Sequence, residues 1–356
     1  MPRMKKFTVL AAALLFTAPA FAQKKSKKPE AAAPAATALP KTPQGLTAWV
    51  DTAPKENPVT PEKWALGQML FWDTRLSPAG THSCETCHHP DKGWTDGLPV
   101  SKKADGKDNT RHSPTLYNVA YNTSYYWDGR AKTLEDQIKA AWDNQMGAKD
   151  KHPEVVKKIG EIPGYKEAFK KAFNTETPTD TQVIQALATF VRSILSGDSK
   201  WDAFDSGNKK ALSAGAQKGW EVFRSKGKCG ACHAGFGFTD WQFHNIGIGM
   251  DKGAAADPGR GKTANDPKLT GAFKTPTLRS VTKHPSYTHL GNVKTVEDMV
   301  AYFTHPNDNP QIDPNLKEGD KVGIALSKEE QKDIVEFLKA LEGKDDPMVQ
   351  KKPTLP

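Results

Sequence analysis

Every cysteine of the 356-residue chain falls in one of two copies of a single pattern, Cys84-Glu-Thr-Cys87-His88 and Cys229-Gly-Ala-Cys232-His233. Two thiols on one turn can reach two points on the edge of one planar group, and the adjacent histidine is left beneath its centre. This is the C-x-x-C-H pattern of covalent c-type haem attachment, with two thioethers and an imidazole on the iron. A zinc ribbon also pairs two C-x-x-C units, typically ~15–20 residues apart, whereas 141 residues separate Cys87 from Cys229. A redox C-x-x-C needs no histidine after each pair. The expected cofactors are two covalent haems c on Cys84, Cys87, Cys229 and Cys232, with His88 and His233 as proximal iron ligands.

No other chemistry competes. Gly261-Lys262-Thr263 resembles the end of a phosphate loop, but Ala256 stands where its upstream glycine is required. The net charge of +9 suggests nucleic acid until it is located: residues 1–22 carry +3 and residues 23–45 carry +4, leaving +2 for the 311 residues from 46 onward. A nearly neutral body removes the electrostatic footprint of a nucleic-acid-binding protein.

Residues 1–22 combine a basic start, an apolar run from Phe7 to about Phe16 and an Ala20-Phe21-Ala22 cleavage site, which reads as a secretory signal peptide. The apolar run is shorter than the ~20 residues of a spanning helix, so no membrane span is expected. Residues 23–45 are Lys, Ala and Pro with almost no bulky side chains, and read as a disordered tether. Export implies a periplasmic protein.

The elements that must position the two patterns are helical. From Thr181, Val183, Ile184, Leu187, Phe190, Val191, Ile194 and Leu195 repeat at helical spacing. Ser327-Lys-Glu-Glu330 is a capping box ahead of Ile334, Val335, Leu338 and Leu341, with Gly343 as the stop, and Thr295-Val-Glu-Asp298 starts a helix through Phe303. The loops 89–114 and 234–276 carry no helical period. Polar stretches at Ser196–Ser199 and Asp205–Asn208 mark a boundary with one haem on each side. The expectation is an all-α chain: an N-terminal haem domain over 46–200, a C-terminal haem domain over 201–345, and a tail over 346–356.

Between Leu66 and Leu341 the chain resembles the bacterial di-haem cytochrome c peroxidases and their MauG-like relatives. The likeness is carried, in family order, by LGQMLFWDTRLSPAGTHSCETCHHPDKGWTDG (66–97), RHSPTLYNVAY (111–121), YWDGRAKTLEDQ (126–137), FKTPTLRSV (273–281), YTHLGNVKTVEDMV (287–300) and NPQIDPNL (309–316). It implies two cytochrome c-like haem domains facing a shared interface, with peroxide activated at the N-terminal haem and electrons passed through the C-terminal one. It implies that Trp127 lies between the haems and that Gln137 belongs to a distal pocket. Tyr287 and His289 match a Tyr-x-His of the C-terminal domain and are given no catalytic role.

The departures from the family are specific. Where the family places an acid before a methionine, this chain reads Asp143-Asn-Gln145-Met146. Gln145 stands in the acid's place and cannot transfer a proton, so Asp143 is the nearest replacement. Where peroxidases often carry a distal histidine, sixteen residues after His88, stands Ala104, which implies an open N-terminal iron. The distal ligand of the second haem, a methionine in peroxidases and a tyrosine in the MauG-like branch, falls at Phe303, with Met299 and Tyr302 as the candidates nearby. An inter-haem Ca²⁺ is implied by the family, but His112 replaces its asparagine ligand, and imidazole suits hard calcium poorly.

Three functions follow. The first is a periplasmic peroxidase that reduces H₂O₂ with electrons from a small cytochrome c or a cupredoxin. The second is a MauG-like oxidase that draws electrons from Trp or Tyr side chains of a partner protein. The third is a non-enzymatic di-haem electron carrier.

Overall fold

The computed structural model describes Met1, residues 38–251 and residues 254–356. The leader read at 1–22, and the tether as far as residue 37, lie outside the described residues.

The helices form where periodicity and caps coincide. Helix α1 (Pro61–Trp72) starts with proline in its first turn, and the Thr60 hydroxyl accepts from the Lys63 amide at 3.2 Å. The α2 (Leu134–Asn144), α3 (His152–Gly160) and α4 (Pro163–Phe173) helices follow, and α5 (Asp180–Arg192) opens on a Thr179/Gln182 capping box. Short α6 (Lys200–Asp205) precedes α7 (Ala214–Arg224). Beyond it lie α8 (Arg260–Ala264), α9 (Val296–Tyr302), α10 (Lys328–Lys339) and α11 (Pro347–Gln350). Helix α10 has the expected Ser327/Glu330 box but ends at Lys339, short of Gly343. Within 234–276, where no helical period is legible, α8 provides one short turn. Strands among the described residues are limited to three two-residue antiparallel pairs: Phe243–His244 with Phe273–Lys274, Met250–Asp251 with Ala254–Ala255, and Lys317–Glu318 with Lys321–Val322.

Two apolar cores form inside the compact unit Ala31–Pro356. The first draws on residues from Trp49 to Leu195, and the second on residues from Trp201 to Leu341. Each is organised by one helix crossing made close by a glycine. A Cβ on Gly67 of α1 would lie 1.9 Å from the Ala186 carbonyl oxygen of α5, and a Cβ on Gly219 of α7 would lie 1.9 Å from the Asp333 carbonyl oxygen of α10. Only glycine permits either approach.

The stretch between the cores is polar but not exposed. Asn118 holds Ser196 by both its backbone groups, at 2.9 and 3.1 Å, and the Ser196 hydroxyl meets that of Ser280 at 2.8 Å. Its polarity satisfies internal hydrogen bonds, so a boundary that reads as a loop is pinned in place. Gln44, inside the stretch read as tether, donates its amide to Asp198 at 2.7 Å. Beside it, Arg279 forms a fully buried pair with Asp202, at 2.9 and 3.0 Å, and donates to the Gly45 carbonyl at 3.2 Å. The tail after α10 returns to the first core: Val349 is buried in it, Leu355 packs against it, and Gln68 donates to the carbonyls of Met348 and Lys351 at 2.6 and 3.1 Å.

Candidate functional site

Each Cys-x-x-Cys-His pattern closes into a single turn. The His88 amide donates to the Cys84 carbonyl at 3.1 Å, and the His233 amide to the Cys229 carbonyl at 2.9 Å. The rings are aimed by the same device in both places. His88 Nδ1 meets the Trp94 carbonyl oxygen at 2.9 Å, and His233 Nδ1 meets that of Phe238 at 3.0 Å. A carbonyl can only accept, so Nδ1 carries the proton and Nε2 is free to ligate. Both carbonyls belong to left-handed non-glycine residues, Trp94 at φ 60° and Phe238 at φ 48°, each locked by a buried ring. Burial holds both histidines below the ordinary imidazole range, in the neutral form a metal requires. Burial also pushes Cys84, Cys87 and Cys229 up to about 12.

A cavity is lined by Cys84, Cys87 and His88 together with residues of α2. Helix α2 and its C-terminal turn present Gln137, Ala141 and Gln145 at four-residue intervals, which place them in one stripe of that lining. Gln145 Oε1 is buried there without a partner, as are Ser286 Oγ and His284 Nε2 across the cavity. A largely apolar chamber with a few orphaned polar atoms, two thiols and a neutral imidazole fits a haem with a small polar ligand above it.

The remaining residues read from sequence separate into those at the cavity and those away from it. Trp127 lines it; its indole donates to the His112 carbonyl at 2.9 Å and lies edge-on to the His289 ring, 6.5 Å between centroids. The His112 amide in turn donates to the His289 carbonyl at 2.8 Å, so Trp127 sits where the two halves of the chain meet. Asp143 does not line the cavity. Its carboxylate turns to Lys139 and His152, both at 2.9 Å. The Ala104 amide donates to the Gln145 carbonyl at 2.8 Å, packing the segment that lacks a distal histidine against the end of α2.

On the C-terminal side, Met299 and Tyr302 are both carried by α9. Met299 packs against the second core, and the Tyr302 hydroxyl donates to the Ile246 carbonyl at 2.8 Å. Phe303 packs against the small cluster of Ile312, Leu316 and Ile324.

Several features carry no short-range signal in the sequence. His244 is clamped between Asp313 at 2.5 Å and Asp240 at 2.8 Å, and the Asp313 hydrogen bond, then the Cys232 thiol and Asp240, raise it to about 11 against the effect of burial. Ligand atoms of Cys232, Asp240 and His244 lie within 4.8 Å of one another. Lys274 Nζ, lowered to about 8 by burial, lines the cavity and donates to the Ser124 carbonyl at 2.7 Å. Arg111 joins Asp128 at 2.7 Å to Asp257 at 2.7 and 2.9 Å, tying the two halves together. Pairings across more than a hundred residues, such as Arg111 with Asp257, leave no spacing pattern to read.

Comparison with known proteins agrees with this geometry. The family described as di-haem cytochrome c peroxidase matches residues 61–210. The chain is 38% identical over 311 residues to the methylamine utilization protein MauG of Methylorubrum extorquens, spanning 85% of this chain and 84% of that protein. It is 31% identical over 294 residues to the cytochrome c551 peroxidase of Pseudomonas aeruginosa, spanning 81% and 80%. Among solved structures, a MauG-like protein associated with microbial copper homeostasis superposes with a TM-score of 0.77 at 29% identity, over 88% of this chain and 98% of that one. The diheme peroxidase BthA from Burkholderia thailandensis shares the fold, with a TM-score of 0.69 at 21% identity over 84% and 92%.

Proposed function

This chain belongs to the di-haem cytochrome c peroxidase family, and from that premise we propose that it reduces H₂O₂ in the periplasm at the haem held by Cys84, Cys87 and His88, with electrons passed through the haem held by Cys229, Cys232 and His233. It is a haem oxidoreductase of the peroxidase type. The observation that carries the finer reading is the chamber lined by His88, Gln137 and Gln145, with no imidazole brought to it by the segment around Ala104 that packs on Gln145. When bound, the haem iron would supply the peroxide-binding position and the one-electron chemistry.

The chain's own residues do the rest. The Trp94 carbonyl fixes the His88 tautomer, and the neutral ring holds its place. The Gln145 amide, with its oxygen unpartnered, orients a small polar ligand by hydrogen bonding and moves no proton. Each H₂O₂ takes up two electrons and two protons to give two waters, and with Asp143 turned away those protons come from solvent in the cavity. Trp127, between the halves, is the oxidisable group for charge passing from one side to the other.

The proposal extends to the two covalent attachments, to one haem domain on each side of residue 200, and to export by the leader at 1–22. The two separate cores support the division. Among the described residues no helix is long and apolar enough to cross a membrane. His112 offers ring nitrogens rather than oxygen, and its Nδ1 is already bonded to the Leu98 carbonyl at 2.6 Å, so the proposal includes no calcium.

A second reading draws the electrons from Trp or Tyr side chains of a partner protein. Tyr302 and Phe303 on or beside α9, where the peroxidases of the family carry methionine, favour it. A donor assay separates the two. Fast steady-state oxidation of reduced cytochrome c or cupredoxin by H₂O₂ supports the first reading; a spectral response to one equivalent of H₂O₂ without such turnover supports the second. Intact mass showing fewer than two haem additions, after co-expression with the attachment machinery, overturns both. His88→Ala should abolish the response to peroxide and leave the second haem's spectrum nearly unchanged.

A further inference from the structure

We propose that Tyr117 and Asp345 form a redox-active tyrosine site that stores an oxidising equivalent from the haem cavity when no external donor supplies an electron. The proposal rests on the peroxide chemistry above and extends it to a residue outside the distal wall.

Of the seven tyrosines in the chain, Tyr117, Tyr125, Tyr126 and Tyr287 line the cavity. A phenol that loses an electron becomes strongly acidic, so the partner of its hydroxyl decides whether oxidation can be sustained. Tyr125 donates to the Val119 carbonyl at 3.3 Å, Tyr126 to the Gln137 carbonyl at 3.4 Å, and Tyr287 to the Val281 carbonyl at 3.2 Å. A backbone carbonyl accepts a hydrogen bond but does not take the proton. Tyr117 alone among the four donates to a carboxylate, Asp345 Oδ1, at 2.6 Å, a short charge-assisted bond.

The surroundings suit this role. Tyr117 is 2% exposed, and burial together with the Asp345 charge raises its phenol well above the ordinary range, so it keeps its proton until an electron leaves. Asp345 is 26% exposed and held by Lys283 at 2.6 Å, which places the proton acceptor at the edge of solvent and the ring inside. Tyr165 makes a similar bond to Asp73 at 2.7 Å but does not line the cavity, and Arg75 already occupies both Asp73 oxygens.

The step balances within these groups. One electron passes from the Tyr117 ring to the peroxide-oxidised haem pair, the phenolic O–H bond breaks, and the proton moves to Asp345, leaving a neutral tyrosyl radical beside a neutral carboxyl. An electron returned by a donor reverses both transfers.

The test uses the full haem-loaded protein, mixed with H₂O₂ without donor and frozen for electron paramagnetic resonance, with ring-deuterated tyrosine to identify the radical. The wild type should give a tyrosyl signal that is lost in Tyr117→Phe and at least several-fold weaker in Asp345→Asn, which keeps a hydrogen-bond acceptor but no base. Haem content and the initial optical response should be unchanged in Asp345→Asn. A signal that survives Tyr117→Phe, or is equally strong in Asp345→Asn, overturns the proposal. So does a wild type whose haems respond to peroxide with no tyrosyl radical, an outcome that leaves the peroxidase reading standing. No haem response at all overturns both.

Discussion

His88 and His233 are each set by a single carbonyl from a left-handed aromatic residue, and neither constraint is visible in the pattern that names them. The pattern specifies which atoms bond; the loop after it specifies how the ring stands. The same contrast holds on the distal wall. Gln137 and Gln145 are named by resemblance to the family rather than by any local spacing signal, and both line the cavity. The direction of Asp143 has no such local signal, since it is set by His152 at the start of the next helix, stacked on Trp142 at 4.0 Å. Two outcomes belong to this scale. Gln145→Glu places a carboxyl where an oxygen is already buried without a partner, and desolvation should raise its pKa toward neutrality. Acid–base groups contribute about 10²–10⁴-fold, so stopped-flow should show the peroxide step accelerated by at least about tenfold. On the proposed function peroxide oxidises the two haems as a unit, and Trp127→Phe should retain haem loading and peroxide binding but lose that shared oxidised state, as read by iron spectroscopy of both sites after rapid mixing. Identical sharing in the two proteins returns Trp127 to an ordinary core aromatic.

At the scale of elements, the caps and the apolar stripes of α5, α9 and α10 were readable because both are local signals, confined to one or two turns. The crossings were not. Gly67 and Gly219 look like unfavourable residues inside helices until the partner backbone is placed against them. Overpacking a tight contact costs about 1–3 kcal/mol, and here the obstacle is a rigid carbonyl, so Gly67→Ala and Gly219→Ala should each lower stability by at least that amount in urea titrations of the haem-loaded protein. The inward bonding of the polar boundary stretch was equally unreadable. Ser196 and Ser199 are polar because they bond inward, to Asn118, Ser280 and Asp202.

For the whole molecule, the halves are tied by Arg111 between Asp128 and Asp257 and by the return of the tail. Burial alone would push both carboxyls up, but the hydrogen bonds and charge of Arg111 outweigh it and hold both below their ordinary value of 3.8. A carboxyl depressed on folding contributes stability that is complete above its unfolded value and is lost as pH falls through its folded one. The urea midpoint should therefore drop as pH falls below 3.8, and Arg111→Gln should flatten that part of the profile. A wild-type midpoint independent of pH in this range would remove the latch from the account. The tail has a different consequence. Val349 and Leu355 complete a core otherwise built from residues 49–195, yet they are synthesised after the entire second half. The face of α1 where Gln68 meets the Met348 and Lys351 carbonyls thus stays open until the segment beyond α10 is in place.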